Sequence, residues 1–324
     1  MTGREENKII TDNKMREKVK SEPEAIRNFF EYLCNSGRDS AQTRKVFVNT
    51  IIRFSDWVMD QLDINLYTKK NWKKITPEII NRYLLEAGKN IKPKTKADYH
   101  VALNKFFNFL FIMGYINSNP FDGNKVPKQK YSYTENVVYL TEKEIEQTKI
   151  NIRENEKNGL LYEVIFTLLY KTGIRITALT EINIDDINIS DRSIRVTDKE
   201  NYTRDVFIGD SMIELLKRYF REYRDKVPSY TNAAFVYYST QKHKYVRVST
   251  RRIDEVIVRN TEFTGKHIPP HKLRDTCAML VYEKTHDIYL TGEVLGHKNF
   301  ENTRKYARVT EQRRRETANF LDNI

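Results

Sequence analysis

Residues 295–309 read LGHKNFENTRKYARV, and this stretch decides how the rest of the chain is understood. It places Tyr306 nine residues after His297. A phenol is a weak nucleophile near neutrality, because its unperturbed pKa is about 10. It becomes useful when cations surround the phosphate it attacks and a positioned group takes its proton. Working upstream, the chain supplies such groups at separate places: His271 and Arg274 in HKLRDT, Lys199 in VTDKENYTRDVFI, and Arg175 in TGIRITAL. Two guanidinium forks, a lysine, two imidazoles and a late tyrosine suit phosphoryl transfer without a metal.

Composition agrees with a phosphate-bearing partner. The 324 residues carry a formal net charge of +12, an excess that points to a polyanion, either nucleic acid or an anionic membrane surface. No apolar run approaches the ~18–20 residues of a membrane span. The opening MTGREENKIITDNK lacks the apolar core of a signal peptide. The expected location is therefore the cytoplasm, with no membrane partner. The two cysteines, Cys34 and Cys277, belong to no CxxC pair, and the six histidines do not cluster like ligands. No cofactor and no metal site are expected.

Periodicity divides the chain into two domains. Residues 1–21 are charged and without period, the pattern of a flexible lead-in. Residues 22–121 read as a compact helical domain. Ile26, Phe29, Phe30 and Leu33 recur at helical spacing. A second helix holds Val46, Ile51, Phe54, Trp57 and Val58, and Thr76-Pro77-Glu78 opens another. An aromatic helix carries Tyr99, Leu103, Phe106, Phe107, Leu110 and Phe111. Residues 122–139 are polar and basic and read as a linker. Residues 140–310 form a mixed domain that starts with Thr141 capping a helix and Glu144 completing a capping box. Ser193–Val196 and Arg204–Ile208 predict a hairpin with Lys199 near its turn, and Phe235–Tyr238 a further strand. Helices are predicted around Met212–Phe220, Arg252–Val258, Leu273–Tyr282 and Ile288–Leu295. Residues 311–324 predict a last helix ending in Phe320, Leu321 and Ile324. The expected fold class is mainly α with a small antiparallel β-sheet.

These motifs, in this order, resemble the tyrosine recombinase family, also called the phage integrase family. The resemblance is strong over Thr172–Val309 and rests on pattern alone in the first half. It implies a helical core-binding (SAM-like) domain followed by an α+β catalytic domain, in an Xer-like layout. It implies that Arg175 and Arg274 hold the scissile phosphate. Lys199 would protonate the departing 5′ oxygen, His271 would manage the tyrosine proton, and His297 would donate a hydrogen bond to a phosphate oxygen. Tyr306 would form a 3′-phosphotyrosine bond. Each residue also has a plainer reading: Arg175 neutralising a helix end, Lys199 solvated in a turn, His271 and His297 at helix boundaries, and Tyr306 as one of 20 tyrosines in core or surface.

One departure stands out. Family members usually carry an acidic residue three positions after the first arginine, and here that position is Ala178. Glu181 or Asp185 are the substitutes nearest in sequence, unless that support is absent. For the grip on DNA, the resemblance implies phosphate contacts from basic runs such as Lys92, Lys94 and Lys96, and Arg247, Arg251 and Arg252. The partners it implies are double-stranded DNA with a specific core site and a homotetramer assembled on paired sites through exchange of the last helix. Accessory DNA-bending proteins stay open, as does docking of that helix on its own domain. The function implied is site-specific recombination through a Holliday junction, by a bacterial, phage or mobile-element protein, for integration, excision or resolution. A type IB topoisomerase and a non-catalytic DNA-binding protein are the alternatives.

Overall fold

A computed structural model describes residues 3–87 (3–7 as backbone only), 89, 91–128, 137–198, 202–297, 303–307 and 318. The chain divides into two compact units, Met1–Tyr133 and Thr134–Ile324.

The first unit is helical: α1 (Gly3–Val19), α2 (Glu24–Ser36), α3 (Ala41–Leu62), α4 (Pro77–Ala87) and α5 (Pro93–Ile112). The stripe of Ile26, Phe29, Phe30 and Leu33 on α2 is fully buried, as its spacing predicts. Phe29 meets Phe106 of α5 edge-on at 5.1 Å, the arrangement favoured by the ring quadrupoles. Two apolar residues of the expected stripes face outward instead, Val46 and Phe111. Residues 1–21, expected as a flexible lead-in, carry α1. Among the described side chains, Met15 and Val19 are buried, Asp12 pairs with the buried Arg44 of α3, and Arg16 pairs with Glu31 of α2. With a carboxylate aimed inward and two buried apolar side chains among the described ones, there is little apolar period to read.

The ends of the expected linker belong to the two units. Val126 is buried in the first, where its carbonyl meets His100 Nε2 at 2.8 Å. In the second, Tyr139 is buried and the Leu140 amide donates to Thr276 Oγ1 at 3.1 Å.

The second unit runs α6 (Glu142–Asn155), α7 (Gly159–Thr172), α8 (Ile176–Glu181), β1 (Ile187–Asn188), β2 (Ser193–Thr197), β3 (Thr203–Phe207), α9 (Asp210–Glu222), β4 (Val236–Ser239), β5 (Lys244–Arg247), α10 (Thr250–Thr261), α11 (Pro270–Thr285) and α12 (Ile288–Leu295). Residues 303–307 are helical. The capping box forms as expected: Thr141 Oγ1 accepts from the Glu144 amide at 3.3 Å, and Glu144 Oε2 from the Thr141 amide at 2.7 Å. Helix α7 is mostly apolar and runs through the core, with every residue from Leu161 to Tyr170 buried and Glu163 among them paired with Arg153. Strands β1, β2 and β3 form an antiparallel sheet in that order, with Ile194 opposite Val206 and Thr197 opposite Thr203. Strand β4 pairs with β5 in a separate two-stranded sheet. The fold is mainly helical with small antiparallel sheets, the class the sequence predicts.

Candidate active site

The TGIR and HKLR motifs meet at a glycine. Helix α7 ends at Gly173, whose φ of +60° lies in the region that favours glycine. A Cβ here would also sit 2.5 Å from Leu295 Cδ2 and 3.2 Å from Cys277 Sγ. That close approach lets the Gly173 carbonyl accept a hydrogen bond from Arg274 Nη1. The other fork nitrogen, Arg274 Nη2, is buried and has no hydrogen-bond partner among the described residues. Burial, reinforced by the like charge of Arg175, pushes the Arg274 pKa down to about 10. A buried, unpaired guanidinium nitrogen is rare in a folded protein and marks a place short of negative charge.

Arg175 stands at the N-cap of α8 and donates from Nη1 to Asp198 Oδ1 at 2.6 Å. The second oxygen of Asp198 accepts from Arg204 Nε at 3.3 Å. Burial raises the Asp198 pKa, but the bonds from Arg175 and Arg204 outweigh it, and the net shift is below the ordinary carboxylate value. Neither substitute nearest in sequence fills the place of the missing acid. Asp185 accepts from Asn232 at 2.7 Å, Glu181 acts on Arg247, and Ala178 is buried in the core. Sequence reasoning missed Asp198, although it adjoins Lys199. Lys199 itself lies outside the described residues; the turn is closed by the Asp198 amide donating to the Tyr202 carbonyl at 2.8 Å.

Tyr306 is 1% exposed. Its hydroxyl donates to Asp275 Oδ1 at 2.8 Å, one residue past Arg274. Lys305 Nζ donates to the same oxygen at 2.8 Å, and Lys272 Nζ to the other at 3.1 Å. Burial raises the Asp275 pKa; Lys305, Tyr306 and Lys272 bring it below the ordinary value. His297 follows Gly296 at the end of α12, and its Nδ1 lies 2.9 Å from Thr303 Oγ1, itself fully buried. Burial first, then Arg274 and Arg175, push the His297 pKa down to about 4, so the ring is neutral at physiological pH. If the Thr303 hydroxyl donates to Nδ1, the proton sits on Nε2. His271 lies on the first turn of α11; partial burial and Lys272 lower its pKa.

The basic runs separate into two kinds. Lys92, Lys94 and Lys96 open α5, where a helix N-terminus prefers negative charge, and no acidic residue occupies that first turn. Arg247 turns inward: it donates to the carbonyls of Thr180 at 2.7 Å and Ile182 at 2.9 Å and to Asn183 Oδ1 at 2.6 Å. That departs from the expectation of a phosphate contact, because its fork already satisfies three oxygens of its own unit. Arg251 is exposed and pairs with Glu255 at 2.8 Å. Arg252 bonds Tyr162 Oη at 2.6 Å and lies over the Tyr237 ring. Among the described residues, no helix is long and apolar enough to cross a membrane, and no three His, Cys, Asp or Glu side chains group as metal ligands. The expected last helix, with Phe320, Leu321 and Ile324, lies outside the described residues.

A buried phenol, two guanidinium groups and a neutral imidazole lie near a cationic nitrogen that is unpaired among the described residues, an arrangement suited to holding a phosphate. The family model described as "Phage integrase family" matches residues 138–313, and the chain belongs to that family. A tyrosine recombinase of Thermosipho africanus is 28% identical over 288 residues, 89% of this chain and 95% of that protein. Tyrosine recombinase XerC of Staphylococcus haemolyticus is 29% identical, over 85% of this chain and 89% of its own. Among solved structures, XerH bound to its palindromic difH substrate in a post-cleavage complex aligns with a TM-score of 0.67 at 21% identity, covering 90% of this chain and 84% of that one. A lambda integrase dimer bound to a core site aligns at 0.62 and 16% identity, covering 87% and 93%. These structural likenesses establish the fold.

Proposed function

We infer that this chain is a tyrosine-type site-specific recombinase of the Xer type, which cleaves and rejoins double-stranded DNA. The single observation that carries the reading is Arg274 Nη2, buried with no hydrogen-bond partner among the described residues and within electrostatic reach of Arg175, His297 and Tyr306. A phosphodiester oxygen is the ligand such a nitrogen lacks.

In this reading, Tyr306 Oη attacks the scissile phosphorus and the bond to the 5′ oxygen breaks. The proton lost by the phenol passes to His271, directly or through water. The departing oxygen takes a proton from Lys199. The 3′-phosphotyrosine bond keeps the phosphodiester energy, so the reverse attack by a 5′ hydroxyl rejoins a strand without ATP. Arg175 and Arg274 stabilise the charge that builds on the equatorial oxygens, and neutral His297 donates from Nε2. Domain limits at 22–121 and 140–310, phosphate contacts from Lys92, Lys94 and Lys96, and a homotetramer built by exchange of residues 311–324 belong to the same proposal. So do the cytoplasmic location and any accessory DNA-bending protein.

The test is a nicked suicide duplex carrying a core site selected by the protein from a randomised pool. Wild-type protein forms a covalent adduct on it. Tyr306→Phe binds equally and forms none; an adduct from that variant removes Tyr306 from the chemistry. Relaxation of a plasmid lacking the site, with no exchange between two sites, would favour a topoisomerase instead.

A further inference from the structure

The chain keeps Arg175 but has alanine at position 178, and it supplies a carboxylate from elsewhere. We infer that Asp198 is the positioning residue that sets the Arg175 fork, and that through Arg204 it ties the β2–β3 hairpin to the His297 end of α12. The inference rests on the recombinase reading and concerns the same site.

Three observations carry it. Asp198 is 5% exposed and sits between the two arginines, each held by a different carboxylate oxygen. A buried carboxylate survives only when paired, and here two forks pair it. Arg204 reaches further: Nη1 donates to the Val294 carbonyl at 3.4 Å and Nη2 to the Leu295 carbonyl at 3.3 Å. Those are the last carbonyls of α12, the end where a helix prefers a cation. The next residue, Gly296, has φ +66°, and any Cβ there would sit 2.7 Å from Arg204 Nε. The arginine therefore lies flat against the turn that delivers His297.

The physical consequence is one of placement. Arg175 is one-third exposed, and a long flexible fork must lose its rotamer freedom before it can grip a phosphate. Asp198 removes that freedom in advance, using one side of the guanidinium and leaving the other for the substrate. It also offsets part of the positive charge that Arg175, Arg204 and Arg274 concentrate in one place. Because Asp198 begins the turn that carries Lys199, the same bond fixes the base of that turn.

The test uses full-length protein and two nicked duplexes with the selected core site. One has an ordinary scissile phosphate; in the other a methylphosphonate replaces one charged oxygen with a methyl group, which reduces the demand for a placed cation. Asp198→Asn is expected to bind both duplexes as wild type does and to form adduct about 10–100-fold more slowly on the phosphate. On the methylphosphonate the deficit narrows to about 3-fold or less, the selective loss expected of a group that acts through the arginine. Asp198→Glu, which keeps the charge one methylene further out and guards against a fold lost with the neutral variant, falls between with the same narrowing. Asp205→Asn, an exposed carboxylate of the same hairpin, serves as control at the wild-type rate. An unchanged rate for Asp198→Asn, or an equal loss on both substrates, overturns the inference and leaves the recombinase reading in place. Failure of wild-type protein to form any adduct overturns both.

Discussion

Tyr306 Oη donates a hydrogen bond of 2.8 Å to Asp275 Oδ1, the carboxylate that immediately follows Arg274 in the chain. Asp275 gathers the phenol, Lys305 and Lys272 around two oxygens, so the residues flanking the reactive groups hold each other.

Asp275→Asn removes the charge from that junction. Lys272 and Lys305 are 17% and 26% exposed and can recover water, which reduces the penalty below that of a sealed pair. The expected loss is roughly 1–3 kcal/mol, read as a lowered midpoint in urea unfolding with an unchanged slope. A midpoint equal to wild type would mean that the carboxylate contributes nothing to docking residues 303–307.

Asp12→Ala probes helix α1. Arg44 is 2% exposed and loses its only paired carboxylate among the described residues, keeping the Asp39 carbonyl. A buried charge left in this way costs about 3–5 kcal/mol. The first unit should unfold at a lower temperature while the second melts as before. Asp12→Ala melting like wild type would show that the Asp12–Arg44 pair contributes nothing to holding α1.

Acid should weaken the second unit in two stages. His297 has a folded pKa of about 4 against an ordinary 6.5, so between those values the unfolded chain binds more protons. Stability is then complete above pH 6.5 and falls as pH drops toward 4. His271, shifted the same way, adds to this stage. The depressed carboxyls of Asp198 and Asp275 act lower, their contribution present above about pH 4 and lost as pH falls through their folded values. His297→Gln should flatten the melting-temperature profile between pH 7 and 4.5 in part; a profile as steep as wild type would assign the effect elsewhere.

Arg247→Ala and Lys94→Ala should fail in opposite ways. The first leaves the Thr180 carbonyl and Asn183 Oδ1 without the arginine, while the Ile182 carbonyl keeps the Ala234 amide, and lowers stability by about 1–3 kcal/mol, with little change in the salt dependence of DNA binding. The second leaves melting untouched and reduces the slope of log affinity against log salt by about 0.9. A salt slope altered only by the arginine variant would reverse the assignment.

The elements legible in the sequence were those whose signals are local. Gly173 and Gly296 punctuate helices through their own φ, the Thr141 box closes over three residues, and the alternation from Ser193 to Thr197 marks a half-buried strand. What escaped is set by tertiary contact. Asp198 meets a partner 23 residues away, and no spacing rule links an acid in a turn to an arginine at a helix start. Arg247 has the composition of a DNA contact, yet a run of basic residues does not say which way each side chain turns. Helix α1 was hidden because polar contacts, among them the Asp12–Arg44 and Arg16–Glu31 ion pairs, hold it in place together with Met15 and Val19 rather than a long apolar stripe.

A hydroxyl with almost no surface cannot collide productively with a passing duplex. In the proposed reading, segment 303–307 is drawn away from Asp275 before the phenol reaches a phosphate, and contacts made along a bound site supply the free energy for that movement. On the proposal that Tyr306 is the nucleophile, it is thus sheathed against casual encounters, and selectivity begins before any base is read.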